Sequence, residues 1–323
     1  MPIVAMPPEF DLKYYRNVYP ELNSMPDDVL NEHCRRYAAE QGHSTCVYDR
    51  REYLQKLLQD VINARGLTAL EISPFNRAFV SGSTVKYFGT TDSDGLKREA
   101  LQVYGNANHV PAKIDFVSPT GDLGVVDEKF DIVFSSHVIE HCPDIVEHFN
   151  QVSKILHKGG VYVLIVPDKR YCFDYYHPES TISEVIDAFV TERKIPRLAD
   201  VINQGFTRTH NNAILHWLGN HGKRYGYRNT PIESNLGLDI MGQHFNDDGK
   251  DNRREQLLIL LEKYSYALEH GDYINTHNWR FTPENFRYIV HMLNDLQFID
   301  LPLYRCCNTV WGRKEFVAVL EKT

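Results

Sequence analysis

The segment FDIVFSSHVIEH carries two imidazoles and a carboxylate in a short cluster, His137, Glu140 and His141, spaced HxxEH. Imidazole titrates near neutrality, so His137 or His141 suits removal of a proton from an attacking hydroxyl. The same side chains could instead only hydrogen-bond locally at a helix start. Further along, VPDKRY sets Asp168 beside Lys169 and Arg170: a carboxylate that could bind or deprotonate hydroxyls, and two cations that could hold a phosphate or carboxylate. A solvated loop of mixed charge is the competing reading. In YFGTTDSDGL, Asp92 can accept hydrogen bonds from two neighbouring hydroxyls. Asp94 competes for that role, and either acid could simply cap a helix beginning near Gly95.

These groups need a frame, and the apolar pattern supplies one. Short apolar runs, LTALEI (67–72), TVKYF (84–88), KIDFV (113–117), FDIVFS (130–135) and VYVLIV (161–166), are separated by helical stretches, which implies a parallel sheet covered on both faces. Open α/β sheets bind ligands at the carboxyl ends of their strands. Glu71, Asp92, Ser136 to His141 and Asp168 all fall there. DIVEHFNQVSKIL has the helical period, and LHKGG after it reads as a lysine and glycine stop. Upstream, Leu54, Leu57, Leu58, Val61 and Ile62 mark one face of a helix over 49–64, ended by Gly66.

Four regions follow. Residues 1–47 are an aromatic-rich module of short helices, broken at Pro20, Pro26 and Gly42. Residues 48–167 hold the first part of the sheet. Residues 168–280 exceed any usual connection and must be an insertion with its own structure, a substrate pocket or lid. It includes helical stretches over 182–191 and 253–269 and the polar turn HFNDDGKDN. Residues 281–323 complete the core: Thr282 caps a helix, Pro283 opens it, Phe286, Ile289, Val290 and Leu293 form its buried face, and IDLPLY with EFVAVL makes a terminal hairpin.

A chain of 323 residues with 42% hydrophobic and 24% charged residues can bury a sizeable core. Its net charge of -8 disfavours a sequence-independent grip on nucleic acid, which needs clustered Lys and Arg. The six cysteines contain no CxxC pair, so a reducing cytoplasm is the natural setting. MPIVAMPPEF lacks the features of an export signal. No window approaches the run of about 20 apolar residues that crosses a bilayer.

The strands, helix and terminal hairpin, together with EKFDIVFSSHVIEHCPDIVEHFNQVSKILHKGGVYVLIVPD, resemble class I S-adenosylmethionine-dependent methyltransferases. That resemblance implies a Rossmann-like α/β fold with a seventh strand antiparallel beside the fifth, and S-adenosylmethionine as cofactor. It places Glu71 as the acid ending the first strand, before a turn where the family has Gly-x-Gly and this chain has Ser73 and Phe75. The connection over 73–83 leaves room for only a very short helix, or none. Asp92 would take the ribose hydroxyls, Asp115 or the turn around Pro119, Gly121 and Asp122 would approach adenine, and Ser136 would close the cofactor site. His137, Glu140 and His141 would lie beside the transferable methyl. No GxGxxG follows the first strand, which argues against a dinucleotide-binding dehydrogenase.

HxxEH also resembles the cluster by which some RNA 2′-hydroxyl methyltransferases hold a divalent metal, with a further histidine from elsewhere. His177, His210, His221 and His244 are candidates for it, and a metal would lower the acceptor's pKa. FDLKYYRNVYPELN with HCRRYAAEQG, and FRYIVHMLNDLQFIDLPL, are similar to parts of methyltransferases from bacterial surface-polysaccharide pathways. The resemblance therefore implies O-methylation of a hydroxyl on a sugar, nucleotide sugar or glycan. The amides and rings of RTHNNAILHWLGNHGKRYGYRN suit such a ligand. Two alternatives stand beside it: a noncatalytic scaffold of a carbohydrate pathway, motivated by Ser73 and Phe75, and an RNA 2′-O-methyltransferase, against which the acidic composition argues.

Overall fold

The apolar runs form the sheet of the computed structural model, which describes residues 10–46, 49–222, 253–271 and 273–323. Strands β1 (Ala69–Ile72), β2 (Val85–Gly89), β3 (Phe116–Val117), β4 (Phe130–Ser136), β5 (Leu156–Pro167), β6 (Leu303–Cys306) and β7 (Glu315–Glu321) make one seven-stranded sheet in the order β3-β2-β1-β4-β5-β7-β6. β7 lies antiparallel between β5 and β6, and the pairs among β1 to β5 are parallel. This is the Rossmann-like methyltransferase order expected above.

Helices α1 (Leu12–Val18), α2 (Asp27–His33) and α3 (Ala39–Gln41) precede α4 (Arg51–Arg65). The rest are α5 (Ser93–Tyr104), α6 (Ile145–Ile155), α7 (Ile182–Val190), α8 (Leu198–Phe206), α9 (Ala213–Trp217), α10 (Arg253–His270) and α11 (Pro283–Asp295). Side chains alternate across a strand, so β5 feeds two cores. Tyr162, Leu164 and Val166 pack with Phe149 of α6 and Phe286, Ile289 and Val290 of α11. Val161, Val163 and Ile165 pack with Leu54, Leu58 and Ile62 of α4. Thr282 caps α11 through the Asn285 amide, and Pro283 opens it. Among the described residues no helix is long and apolar enough to cross a membrane.

Three local features differ from, or sharpen, the sequence pattern. No helix occurs over 73–84; α4 covers that face instead, and Phe79 from the loop stacks on Phe134 at 4.1 Å. LHKGG is not a stop between elements, because β5 begins at Leu156, paired with Phe130 before a register shift. Gly160 permits this: a Cβ there would stand 2.8 Å from the His157 carbonyl and 3.1 Å from that of Asp131. In KIDFV only Phe116 and Val117 pair as strand, since the Asp115 carboxylate accepts the Tyr87 amide at 3.1 Å in place of a backbone carbonyl.

The insertion leaves and rejoins the sheet at one rung. Asp168 bridges Phe281, whose carbonyl accepts the Lys169 amide at 2.9 Å. Val185 and Ala188 of α7 join the main core, whereas Val201 of α8 and Leu260 and Ala267 of α10 form a small core with Ile274. The turn HFNDDGKDN lies outside the described residues.

The N-terminal helices bury Tyr15, Leu22, Leu30 and Ala38 in a separate cluster. They meet the body at Gly42, whose carbonyl accepts the Trp311 amide at 2.7 Å. Gly42 has φ +65, and a Cβ on it would lie 2.7 Å from both Trp311 N and Trp217 Cη2. Gly66 has φ +63 but nothing within 4 Å of its would-be Cβ. Gly66→Ala is therefore expected to cost about 1 kcal/mol, for the left-handed backbone alone. Gly42→Ala adds overpacking of about 1–3 kcal/mol. Urea unfolding of the two variants measures the difference.

Candidate active site

The carboxyl edge of the sheet begins at a strained turn. Ser73 (φ 58) and Phe75 (φ 41) adopt left-handed backbone, the conformation glycines would take at a cost lower by about 1–2 kcal/mol each. The backbone path of a glycine turn is thus kept without the glycines. Glu71 holds it from beneath: its carboxylate, 3% exposed, accepts the Phe79 amide at 2.9 and 2.8 Å and the Val80 amide at 3.1 Å. Burial raises its pKa from 4.5 to about 7, against the pull of those amides. Glu71 thus fastens the loop, its buried carboxylate taken up by the Phe79 and Val80 amides where a cofactor contact was expected.

At the end of β2, Asp92 is the N-cap of α5, its Oδ1 accepting the Gly95 amide at 2.8 Å. Among the described residues its Oδ2 accepts no hydrogen bond, so Asp92 can cap the helix and still meet a hydroxyl. Asp94 pairs with Lys97 at 3.0 Å. Asp115 is occupied by the Tyr87 amide and by Lys113 at 2.6 Å, which removes it from the rim. The following turn does reach the rim, Ser118 donating its amide to the Gly89 carbonyl at 3.0 Å. Asp122 caps the next short helix through the Gly124 amide.

Beyond β4 the groups sort by charge. Ser136 Oγ accepts from Arg51 of α4 at 2.8 Å. His137, itself at φ 55, sits between two carboxylates: Nε2 is 2.7 Å from Glu315 and Nδ1 is 3.4 Å from Glu140. Burial opposes its charge, but Glu140 and Glu315 outweigh that and raise its pKa to about 9. Burial likewise works against ionised Glu315, yet His137 and Arg51 draw it down to about 2. His137 is therefore a cation at neutral pH and cannot serve as the general base. His141 is the opposite case: burial, with His277 beside it, lowers its pKa to about 4.

His141 Nδ1 lies 3.1 Å from the Thr276 carbonyl, and His277 Nδ1 lies 2.5 Å from Asp174. Both partners are acceptors, so both Nδ1 atoms carry a proton and both Nε2 atoms are left to face Glu140. Those Nε2 atoms stand 3.9 and 4.0 Å from Glu140 Oε1. Glu140 is fully buried, and neither of its oxygens accepts a hydrogen bond.

The third imidazole is thus His277, not one of the four anticipated. His177 bonds Asp174 at 2.9 Å and Thr207 at 2.6 Å. His221 pairs with His216, His210 bonds the Asn220 carbonyl, and His244 lies outside the described residues. Asp168 is also corrected. It is fully buried, accepting from Thr309 at 2.6 Å, from the Arg170 amide at 3.0 Å and from the Arg170 guanidinium at 2.6 Å. It has no capacity left to bind or deprotonate a hydroxyl. Lys169 reaches the Tyr175 carbonyl. Sequence gave no signal for His277, Asp174, Glu315 or Arg51, because each acts on a partner far along the chain. A cavity of about 670 Å³ runs from Phe75 and Thr90 to Tyr264, Tyr273 and Asn275 of the insertion.

Residues 77–164 match the model of a methyltransferase domain. No curated protein matches the chain. Among solved structures it is similar to the CcbJ methyltransferase from Streptomyces caelestis, with 18% identity and TM-score 0.23 over 32% of this chain and 48% of that one. It is also similar to an S-adenosylmethionine-dependent methyltransferase from Clostridium acetobutylicum ATCC 824, with 7% identity and TM-score 0.38 over 92% and 98%. A third is magnesium protoporphyrin IX methyltransferase from Synechocystis PCC 6803, with 8% identity and TM-score 0.33 over 92% and 100%. The chain spans about half the length of CcbJ.

Residues 77–164 are thus similar to a methyltransferase domain, set in a sheet of the Rossmann-like order. At the turn after β1, Ser73 and Phe75 keep left-handed backbone, and among the described residues Asp92 Oδ2 accepts no hydrogen bond.

The placement of Glu71 carries a pH dependence of stability. Between pH 4.5 and 7 its carboxyl ionises only on unfolding, so the unfolded chain binds fewer protons and stability falls as pH rises. Wild type is expected to lose about 2–3 kcal/mol relative to Glu71→Gln between pH 5 and pH 8. Urea unfolding at both pH values checks it, and equal stability changes in the two proteins would contradict the assignment.

Proposed function

We propose that the protein is an O-methyltransferase acting on a hydroxyl of a sugar, nucleotide sugar or glycan. The observation that carries this reading is the nest formed by Glu140 and the two free imidazole nitrogens of His141 and His277 at the end of β4. Carbon and nitrogen acceptors make different demands, whereas a hydroxyl must lose a proton of high pKa as it attacks. An ionised Glu140 carboxylate with the neutral His141 imidazole beside it favours positive charge at that point. S-adenosylmethionine, when bound, supplies a methyl group on a positively charged sulfur.

This chain's residues then have distinct tasks. Asp92 and the turn at Ser73 to Phe75 hold the donor, and alignment of donor and acceptor supplies much of the rate. The nest eases loss of the hydroxyl proton while the new O–C bond forms and the C–S bond breaks, the electron pair leaving with sulfur. His137, bonded to Glu315 and beside Glu140, holds the turn in place. The cavity is lined by Tyr264 and Tyr273, and an acceptor seated there would meet their rings. Rings stack on the C–H faces of sugars and amides pair with their hydroxyls.

Incubation with S-adenosylmethionine and a panel of nucleotide sugars and lipid-linked glycans, read by mass spectrometry, should give a methyl ether on a sugar oxygen. His141→Ala is expected to lower kcat by about 10²-fold with little change in KM for the donor. Methylation confined to nitrogen or carbon acceptors would refute the reading. Failure of folded protein to bind S-adenosylhomocysteine in calorimetry would favour the scaffold instead.

A further inference from the structure

We infer that Glu140, His141 and His277 form a binding site for one divalent first-row transition ion of the Zn²⁺ and Co²⁺ type, with Asp174 and the Thr276 carbonyl orienting the two imidazoles. The first support is the carboxylate itself. Glu140 is fully buried and both of its oxygens accept no hydrogen bond. Its cationic neighbour His137 is shared with Glu315, and a divalent ion would complete the charge balance of the buried carboxylate. His137 Nδ1, at 3.4 Å from Oε1, is a partner on one side only.

The second support is the direction of the imidazoles. With Nδ1 of His141 donating to the Thr276 carbonyl and Nδ1 of His277 donating to Asp174, both Nε2 atoms converge on the carboxylate. A divalent ion among the carboxylate and the two Nε2 atoms would draw on all three at once. All three ligand atoms lie within 4.8 Å of one another. Tetrahedral ligands at about 2.0–2.1 Å from a metal stand about 3.3 Å apart, so a small contraction completes the site.

The third support is the scaffold behind the ligands. Asp174 binds His277 and is itself fixed by His177 at 2.9 Å. Gln204 Oε1 accepts from the His277 amide at 2.7 Å and from the Thr276 hydroxyl at 2.9 Å. The Asn278 amide donates to the Glu140 carbonyl at 2.6 Å, locking the two ligand segments together. Carboxylate-bound histidines of this kind are the usual outer support of metal ligands.

Two imidazoles with one carboxylate suit Zn²⁺, Co²⁺ or their neighbours better than Mg²⁺ or Ca²⁺, which prefer oxygen. Three protein ligands leave a position open, which a hydroxyl of the acceptor would fill; that last clause rests on the function proposed above.

The test is direct titration of chelator-treated full-length protein with Co²⁺ and with Zn²⁺, followed by calorimetry, elemental analysis and the visible d–d spectrum of the Co²⁺ form. One equivalent is expected, with a spectrum of low coordination number. Glu140→Gln and His277→Gln should lose binding, and Asp174→Asn should weaken it by about 10–100-fold. Circular dichroism establishes that each variant is folded. Binding of no ion by folded wild-type protein overturns the proposal without any variant, as does binding undiminished in folded His277→Gln. Absence of ion binding beside sugar O-methylation in the same preparation would leave the proposed function standing while the ion site falls. One bound equivalent with no sugar acceptor methylated would do the reverse.

Discussion

Segment 276–281 is laid along the turn that carries Glu140, and the rest of the site depends on that closure. The Glu140 carbonyl accepts the amides of Asn278 at 2.6 Å and Trp279 at 3.2 Å. The Asn278 side chain reaches the His141 carbonyl, and Trp279 Nε1 reaches that of Cys142. Fully buried Trp279 then anchors the segment in the main core. These contacts set His277 opposite His141 across Glu140, although more than a hundred residues intervene. They also return the chain to Asp168, so the insertion closes on a single rung of the sheet.

The insertion is fastened by buried charge as well as by backbone. Arg280, next to that rung, pairs with Asp200 of α8 at 2.5 Å and lies 3.7 Å from Asp174. Asp200 in turn takes Arg197 at 2.7 Å. Removing one member of such a buried pair costs about 3–5 kcal/mol, because the other is left uncompensated. The same ion-pair system that secures the insertion thus ends at Asp174, which fixes His277. Stability of the insertion and geometry of the site are carried by one set of groups.

The opposite side of the cleft is built differently. The turn after β1 carries left-handed Ser73 and Phe75, and its order comes from Glu71 beneath it and from Phe79 stacked on Phe134. Strain of this kind persists where surrounding contacts over-determine the backbone. Arg51 of α4 binds Ser136 and approaches Glu315, tying that layer to the end of β4. The helix that precedes the sheet therefore supports the rim that the missing helix over 73–84 would otherwise occupy.

The elements that depend on local pattern were legible in the residues themselves. The apolar runs gave β1, β2, β4 and the body of β5. Gly66 marked the end of α4, Thr282 and Pro283 the start of α11, and HxxEH the turn that holds Glu140 and His141. What only the tertiary structure decided is the charge and direction of those groups. His137 becomes a cation because Glu315 arrives from β7, and Asp168 is saturated by Thr309 and Arg170. His141 keeps a free Nε2 because Thr276 takes its other nitrogen, and His277 and Asp174 arrive through closure of the insertion. The physical reason is that periodicity and capping act over one or two turns of chain. Protonation and hydrogen-bond direction depend instead on every group brought within a few ångströms, whatever its distance in sequence.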